Sequence, residues 1–291
     1  MATQKEKRSI LITGCSDGGL GAALAVAFHE AGYHVYATAR NVDKMKQLTA
    51  QGIETLELDV QSESSIKECL GKIPRLDILL NNAGTMLTMP VVDTSIEKAK
   101  ELFETNVWGP LRMIQAFVPL LLESKGMIVN NTSIGAFLAA PFGGAYSASK
   151  AALAMFTETL RIEMEAFDIK VVDMRTGTVG PTNLLKNNTS LQGSRSDPIL
   201  PKGSIYEPAR ELVESVIRRD GFKRTGMNPA LWAKEVVQDL SKSKPPAVIW
   251  RGQSAATAWY ASMLPHGFLD GFIKKLTQYS KIEEIIRAAR N

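Results

Sequence analysis

Ser9-Ile10-Leu11-Ile12-Thr13-Gly14-Cys15-Ser16-Asp17-Gly18-Gly19-Leu20-Gly21 is the stretch that decides how the chain folds. A short apolar run enters a glycine-rich turn, and a segment rich in alanine, leucine and valine follows from Leu20 to Ala31. A second apolar run, Tyr33 to Ala39, ends at Arg40. Strand, glycine turn, helix and strand in this order form the unit in which a doubly wound sheet holds a nucleotide. The glycines have separable roles: a turn too tight for a Cβ, close approach of backbone to a pyrophosphate, and close seating of the helix on the sheet. The helix N-terminus then faces the phosphates. Glycine-rich turns also occur without nucleotides, so other stretches have to decide the matter.

Working outward, Ile53 to Val60 reads as a third strand ending at Asp59-Val60, after a surface helix over Val42 to Gln51. A short helix near Ser64 to Gly71 precedes a fourth strand, Leu76 to Leu80, which runs into Asn81-Asn82-Ala83-Gly84. Its nearly unbroken apolar run suits a strand covered on both faces. These alternations predict an α/β, doubly wound Rossmann-type fold with a parallel sheet of about seven strands and helices on both faces. Ile96 to Leu122 reads as one bent helix or two joined near Trp108-Gly109-Pro110, with Asn106 just before the interruption. Met127 to Asn131 is a fifth strand that brings Ser133 to the C-terminal edge of the sheet, where ligands collect. Tyr146-Ser147-Ala148-Ser149-Lys150 opens a helix to about Ala166, and Ile169 to Met174 and Ala247 to Trp250 are the remaining strands. Helices are expected at Pro208 to Arg219 and Pro229 to Ser241.

Residues 1–291 read as a single Rossmann-type catalytic domain, a length that buries a large core without requiring a second one. Within it, the polar stretch 178–206, interrupted by Pro181, Pro198 and Pro201, is expected to form a substrate lobe, and 255–291 a C-terminal extension. A hydrophobic content of 45% and a charged content of 22% exclude a disordered chain. The net charge of +4 argues against a dedicated nucleic-acid binder but permits an anionic cofactor, an anionic substrate or an acidic membrane surface. Cys15 and Cys69 are too few for a disulfide scaffold, and the polar start Ala2 to Arg8 lacks a signal-peptide hydrophobic region, so a cytoplasmic protein is expected. No metal site is expected.

No Asp or Glu stands at the immediate end of the second strand to take an adenosine ribose, whereas the planar fork of Arg40 suits a 2′-phosphate. This favours NADP(H). The alternative is that Arg40 begins a solvated loop and Asp43 reaches the ribose. Tyr146 and Lys150, four apart on a helix, share a face. A free tyrosine has a pKa of about 10 and is a poor acid or base near neutrality. A nearby ammonium stabilises the phenolate, and Ser133 is placed to orient a substrate oxygen. Most such pairs elsewhere are interfacial or solvent-facing, so the surrounding motifs matter.

Those motifs resemble the short-chain dehydrogenase/reductase family, classical type, over nearly the whole chain. The spaced glycine motif appears as Thr13 to Gly21, the post-strand motif as Asn81-Asn82-Ala83-Gly84, and the helix asparagine as Asn106 in Asn106-Val107-Trp108-Gly109; Ser133, Tyr146 and Lys150 follow in order. The resemblance implies that Tyr146 is the acid/base and that Lys150 lowers its pKa and holds the nicotinamide ribose. It further implies that Ser133 bonds the substrate oxygen and that Asn106 supports Lys150 through water in a proton relay. It implies cofactor contacts at Gly14, Ser16, Gly19, Leu20, Gly21, Arg40, Asp59, Val60, Asn82, Ala83, Gly84, Tyr146, Lys150, Gly177, Val179 and Thr182. One departure is that Thr176-Gly177 replaces the family's Pro-Gly pair and Pro181 stands where a threonine is usual, so an altered nicotinamide-side loop is expected.

Within the family, Thr13 to Ser16, Ala37 to Arg40 and Ile249 to Gly252 look like the fungal and yeast group that includes 1-acyldihydroxyacetone-phosphate reductase, and like reductases of fungal secondary metabolism. The implied activity is NADPH-dependent reduction of a hydrophobic or bulky ketone by a homodimer or homotetramer. Acyl-dihydroxyacetone-phosphate reduction and alcohol oxidation are the alternatives. The tail carries Trp259, Tyr260, Met263, Leu264, Phe268, Leu269 and Phe272 beside Lys274-Lys275. Its interruptions rule out a membrane span, leaving peripheral contact with endoplasmic reticulum or lipid droplets, a pocket cover, or a subunit interface.

Overall fold

The computed structural model describes residues 7–191, 197–220, 226–265 and 267–290, so residues 192–196 of the expected lobe and residue 266 of the tail lie outside the described residues. Buried apolar Ser9–Thr13 forms β1, and Leu20–Glu30 forms α1. β2 is His34–Ala39, α2 is Lys46–Ala50, and β3 is Glu54–Glu57. The surface helix expected over 42–51 begins instead as a 3-10 turn, Val42–Met45, set by Asn41, whose side chain accepts from the Asp43 amide. The third strand is shorter than expected because it lies at the sheet edge, with only β2 to pair with. α3, Glu63–Leu70, starts at a Ser62 cap, and β4 is Ile78–Asn81.

α4, Ile96–Phe103, and α5, Gly109–Ser124, are joined through a π turn at Glu104–Trp108 rather than by a break at Trp108-Gly109-Pro110. The widened turn holds Asn106 fully inside the protein. Such turns recur at functional sites. β5 is Met127–Asn131, α6 Gly144–Met164, β6 Lys170–Thr176, α7 Arg210–Arg218, α8 Pro229–Leu240 and β7 Val248–Arg251. The tail folds as α9, Ala255–Ala261, α10, Asp270–Leu276, and α11, Tyr279–Arg290.

The seven strands form one parallel sheet in the order β3-β2-β1-β4-β5-β6-β7. Side chains alternate between its faces. Ile10 and Ile12 pack with Leu24 and Phe28 of α1 and Trp232 of α8 on one side. Leu11 packs with Leu79, Ile128 and Phe117 on the other. Strand order reverses between β1 and β4, which places the switch point at their C-terminal ends, beside Thr13 and Asn81. A third cluster joins Phe142 to Leu200, Ala209, Val213, Ile217 and Ile282, so Leu200, α7 and α11 pack over the loop that leads into α6. Among the described residues no helix is long and apolar enough to cross a membrane.

Candidate active site

Thr13 ends β1 with its hydroxyl turned to the next strand's loop. Its Oγ1 accepts the amides of Asn82 and Ala83, each at 2.9 Å, and Asn82 Nδ2 donates to the Thr13 carbonyl at 2.9 Å. A Cβ on Gly14 would stand 2.8 Å from the Ala83 Cα, and one on Gly21 would stand 2.5 Å from the Gly14 carbonyl oxygen. Glycine is therefore required where α1 closes on the turn, and Gly14 also holds φ at +75°. Gly19 caps α1 without a side-chain hydrogen bond, and the first turn carries no acidic residue. Its amides are left for an anion, so this cradle fits a pyrophosphate. Ser16 and Leu20 are half-buried on either side of Gly19, and Arg40 is exposed at the end of β2.

Asp59 follows β3 with its amide held by Ser65 Oγ at 2.9 Å, while Val60 is buried against Gly109, where a Cβ would meet it at 2.8 Å. Gly84 borders both Asn106 Oδ1 and Lys150 Nζ, which lie 3.3 and 3.7 Å from the position its Cβ would take. Gly177 is tighter still against the Gln253 carbonyl, 2.4 Å from such a Cβ. Val179 is bridged to Met227, and Thr178 is fixed to Gln253, so the departing loop is clamped between the start of α8 and the end of β7. Thr182 is half-buried next to Asn183, whose Nδ2 reaches across to the Asp17 carbonyl at 2.6 Å.

The reacting edge lies at the ends of β5 and β6. Ser133 follows β5; its Oγ accepts the Gly135 amide at 3.0 Å and stands near enough to the Tyr146 phenol to act on it. Burial pushes that phenol above the ordinary tyrosine value, while the neighbouring Ser133 hydroxyl and then the Arg219 charge pull it down. Lys150 is buried and donates to the Asn131 carbonyl at 2.8 Å; burial brings its ammonium down to about 8 against an opposing pull from Asp173. Asn106 does not bond Lys150: its Oδ1 accepts the Thr85 amide at 2.9 Å, and its Nδ2 donates to the Thr85 carbonyl at 3.1 Å and Ser149 Oγ at 3.0 Å.

Several participants were not singled out by sequence. Asn131 carries the Lys150 contact on its carbonyl and spends its side chain on Asn82 and Thr176. Its position at a strand end beside Ser133 was the available signal. Asp173, which faces Lys150 electrostatically, bonds Thr132 and pairs with Arg175 at 2.6 Å; burial raises its carboxyl while those partners lower it. Arg175 in turn lies between the rings of Phe137 and Trp250, 3.8 and 4.8 Å from their centroids. Nothing in local sequence pattern marks Asn183 or Arg219.

The model of the short chain dehydrogenase family matches residues 8–192. A short-chain dehydrogenase/reductase of Pestalotiopsis microspora is 49% identical over 284 residues, spanning 97% of this chain and 98% of the relative. The NADPH-dependent 1-acyldihydroxyacetone phosphate reductase of Schizosaccharomyces pombe is 36% identical over 271 residues, spanning 89% of this chain and 90% of that one. The crystal structure of a short-chain dehydrogenase from Streptomyces avermitilis superposes with a TM-score of 0.73 at 28% identity, over 97% of this chain and 98% of that chain.

Proposed function

The chain belongs to the short-chain dehydrogenase/reductase family, and from that premise we propose that it is an NADPH-dependent carbonyl reductase of a hydrophobic or bulky ketone, serving fungal secondary metabolism. The observation that carries this reading is the Tyr146 phenol beside Ser133, with the Lys150 ammonium buried one helical turn away on α6. The nicotinamide supplies the hydride that forms the new C–H bond. Tyr146 gives its proton to the alkoxide oxygen, and Ser133 holds that oxygen in place. Lys150 secures the ribose and adds positive potential where the phenolate forms, and Asn106 together with Gly84 completes the wall through which a water-borne proton returns. Gly14, Ser16, Gly19, Leu20 and Gly21 cradle the pyrophosphate, Asp59 and Val60 flank the adenine, and Asn82 to Gly84 flank its ribose. Gly177, Val179 and Thr182 border the carboxamide.

Arg40 is exposed at the β2 end, the position from which it pairs with a 2′-phosphate, and the Schizosaccharomyces relative is itself NADPH-dependent. That relative also supports a second reading, reduction of 1-acyldihydroxyacetone phosphate. The exposed row Tyr260, Met263, Phe268 and Phe272 beside Lys274 and Lys275 supports peripheral contact with an anionic membrane. Tyr146→Phe is the test of the central assignment. The variant should bind NADPH, followed by fluorescence, and lose about a hundredfold or more of its ketone turnover, the usual scale of general-acid catalysis. Undiminished turnover would refute the assignment.

A further inference from the structure

Asn131 is the last residue of β5, and three other elements meet on it. β4 ends at Asn81, which pairs with Asn130, so β5 outruns this neighbour by one residue. On its other side the ladder continues: Asn131 pairs with Met174 of β6, and the Thr132 amide donates to the Met174 carbonyl at 2.9 Å. The N–H and C=O of one trans peptide point in opposite directions, so the Asn131 carbonyl is turned to the side where β4 has stopped. Lys150 Nζ reaches that place from α6 and donates to the carbonyl at 2.8 Å. The loop that continues β4 borders the same place, since a Cβ on Gly84 would stand 3.7 Å from Lys150 Nζ.

The Asn131 side chain is buried and held at both ends. Its Oδ1 accepts Thr176 Oγ1 at 2.6 Å, and its Nδ2 donates to Asn82 Oδ1 at 2.9 Å. Asn82 is fixed in turn, its Nδ2 donating to the carbonyls of Thr13 and Gly14 at 2.9 and 3.3 Å. Thr176 is buried at the end of β6, directly before Gly177, whose amide donates to the Arg251 carbonyl at 2.8 Å. The proline that the family's Pro-Gly pair would place at 176 has no hydroxyl to give, so the bond to Asn131 comes with this chain's departure from that pair. An amide held this way cannot rotate without leaving a buried polar atom unpaired. The carbonyl that carries Lys150 belongs to the same residue and is held with it.

We propose that Asn131 is a positioning residue for Lys150: its side chain, tied to Thr176 and Asn82, fixes the carbonyl on which the ammonium rests and so sets where that ammonium meets the cofactor. The inference rests on the reading in which Lys150 secures the nicotinamide ribose. A hydrogen bond from a charged donor is strong, so a displaced carbonyl draws the ammonium with it, and small misplacements at a reacting centre are costly. Thr176 stands one residue before Gly177. One side chain therefore holds both the ammonium and the strand end that borders the carboxamide in that reading. The hydroxyl at 176 supplies by a bond the fixity that a proline supplies by its ring.

The test is a double-mutant cycle in NADPH affinity, measured by fluorescence titration of the full chain. Thr176→Val keeps the branched shape of the side chain and removes its hydroxyl. In the wild-type background it should weaken NADPH about three- to tenfold, and in the Lys150→Met background by less than about twofold, because the ammonium it places is gone. Asn131→Leu removes both bonds of the amide and should repeat the pattern as an independent arm. Thr176→Ser keeps the hydroxyl and should keep wild-type affinity. Thermal melting checks that each variant is folded. A change that merely loosens the site weakens NADPH equally in both backgrounds. Equal losses, or no loss on Thr176→Val in the wild-type background, overturn the proposal. Lys150→Met alone judges the ribose reading: wild-type affinity in that variant removes the ribose contact, whereas a loss there with an additive Thr176→Val removes the Asn131 role alone.

Discussion

Replacing Lys150 with methionine should make the protein more stable at pH 7 while removing its turnover. The Lys150 ammonium is buried and titrates near 8 instead of its ordinary 10.5, chiefly through loss of solvation. At pH 7 it is charged in both folded and unfolded chains, so the whole penalty is present, about 3 kcal/mol at roughly 1.4 kcal/mol per tenfold. Methionine keeps the length and removes the charge. It also strips the Asn131 carbonyl of the donor it holds at 2.8 Å, which gives back about 1–2 kcal/mol. The net expectation is a gain of about 1–2 kcal/mol, or a few degrees in Tm for a chain of this size. The sign reverses with pH. Because the folded pKa lies below the unfolded one, the penalty is full below about 8 and is relieved as pH rises from there to 10.5. The methionine variant has no such titration, so its advantage should shrink above pH 8 and vanish by about pH 10. Urea unfolding of both proteins at pH 7 and at about pH 9.5, followed by far-ultraviolet circular dichroism, measures the difference. A variant less stable than wild type at pH 7, or a gap that does not narrow with rising pH, would refute the reasoning.

Arg40→Ala should weaken NADPH binding by about tenfold or more while leaving NADH affinity nearly unchanged, as expected for loss of a guanidinium–phosphate pair; parallel titrations decide it, and equal losses would remove the phosphate contact. Gly21→Ala places a methyl 2.5 Å from the Gly14 carbonyl oxygen and 2.7 Å from Asn82 Nδ2. Overpacking of this kind costs about 1–3 kcal/mol, so both the melting temperature and NADPH affinity should fall, and wild-type values for both would show that the turn is looser than its geometry indicates.

The glycine turn and the strands that feed it were legible because their requirements are local. Gly14 must reach positive φ and admit a neighbouring backbone, and the buried runs of β1 and β4 sit within a few residues of the turns they feed. Ser133, Tyr146 and Lys150 could be placed for a similar reason, since a strand end and a helical repeat of four are short-range patterns. The arrangement of the later segments depends on pairs distant in the chain. Asn183 bonds Asp17 across 166 positions, Tyr206 meets Tyr279, and Ile282 is fully buried against Phe142 while Phe268, equally apolar by composition, is 69% exposed. Periodicity carries no information about such distances, so the tail read equally well as anchor, cover or interface. Within it, Ile282 of α11 is buried with Phe142 and Leu200, while Phe268 and Phe272 around α10 stay exposed. Asn106 shows the same limit at one residue. Its place in the helix was readable, but its partners, Thr85 and Ser149, follow from a π turn that widens the helix against a loop 21 residues earlier. Chemistry common to many carbonyl reductases therefore sits in patterns a chain can display by itself. The packing of α7 and α11 on the loop before Tyr146 becomes readable only once those segments are folded together.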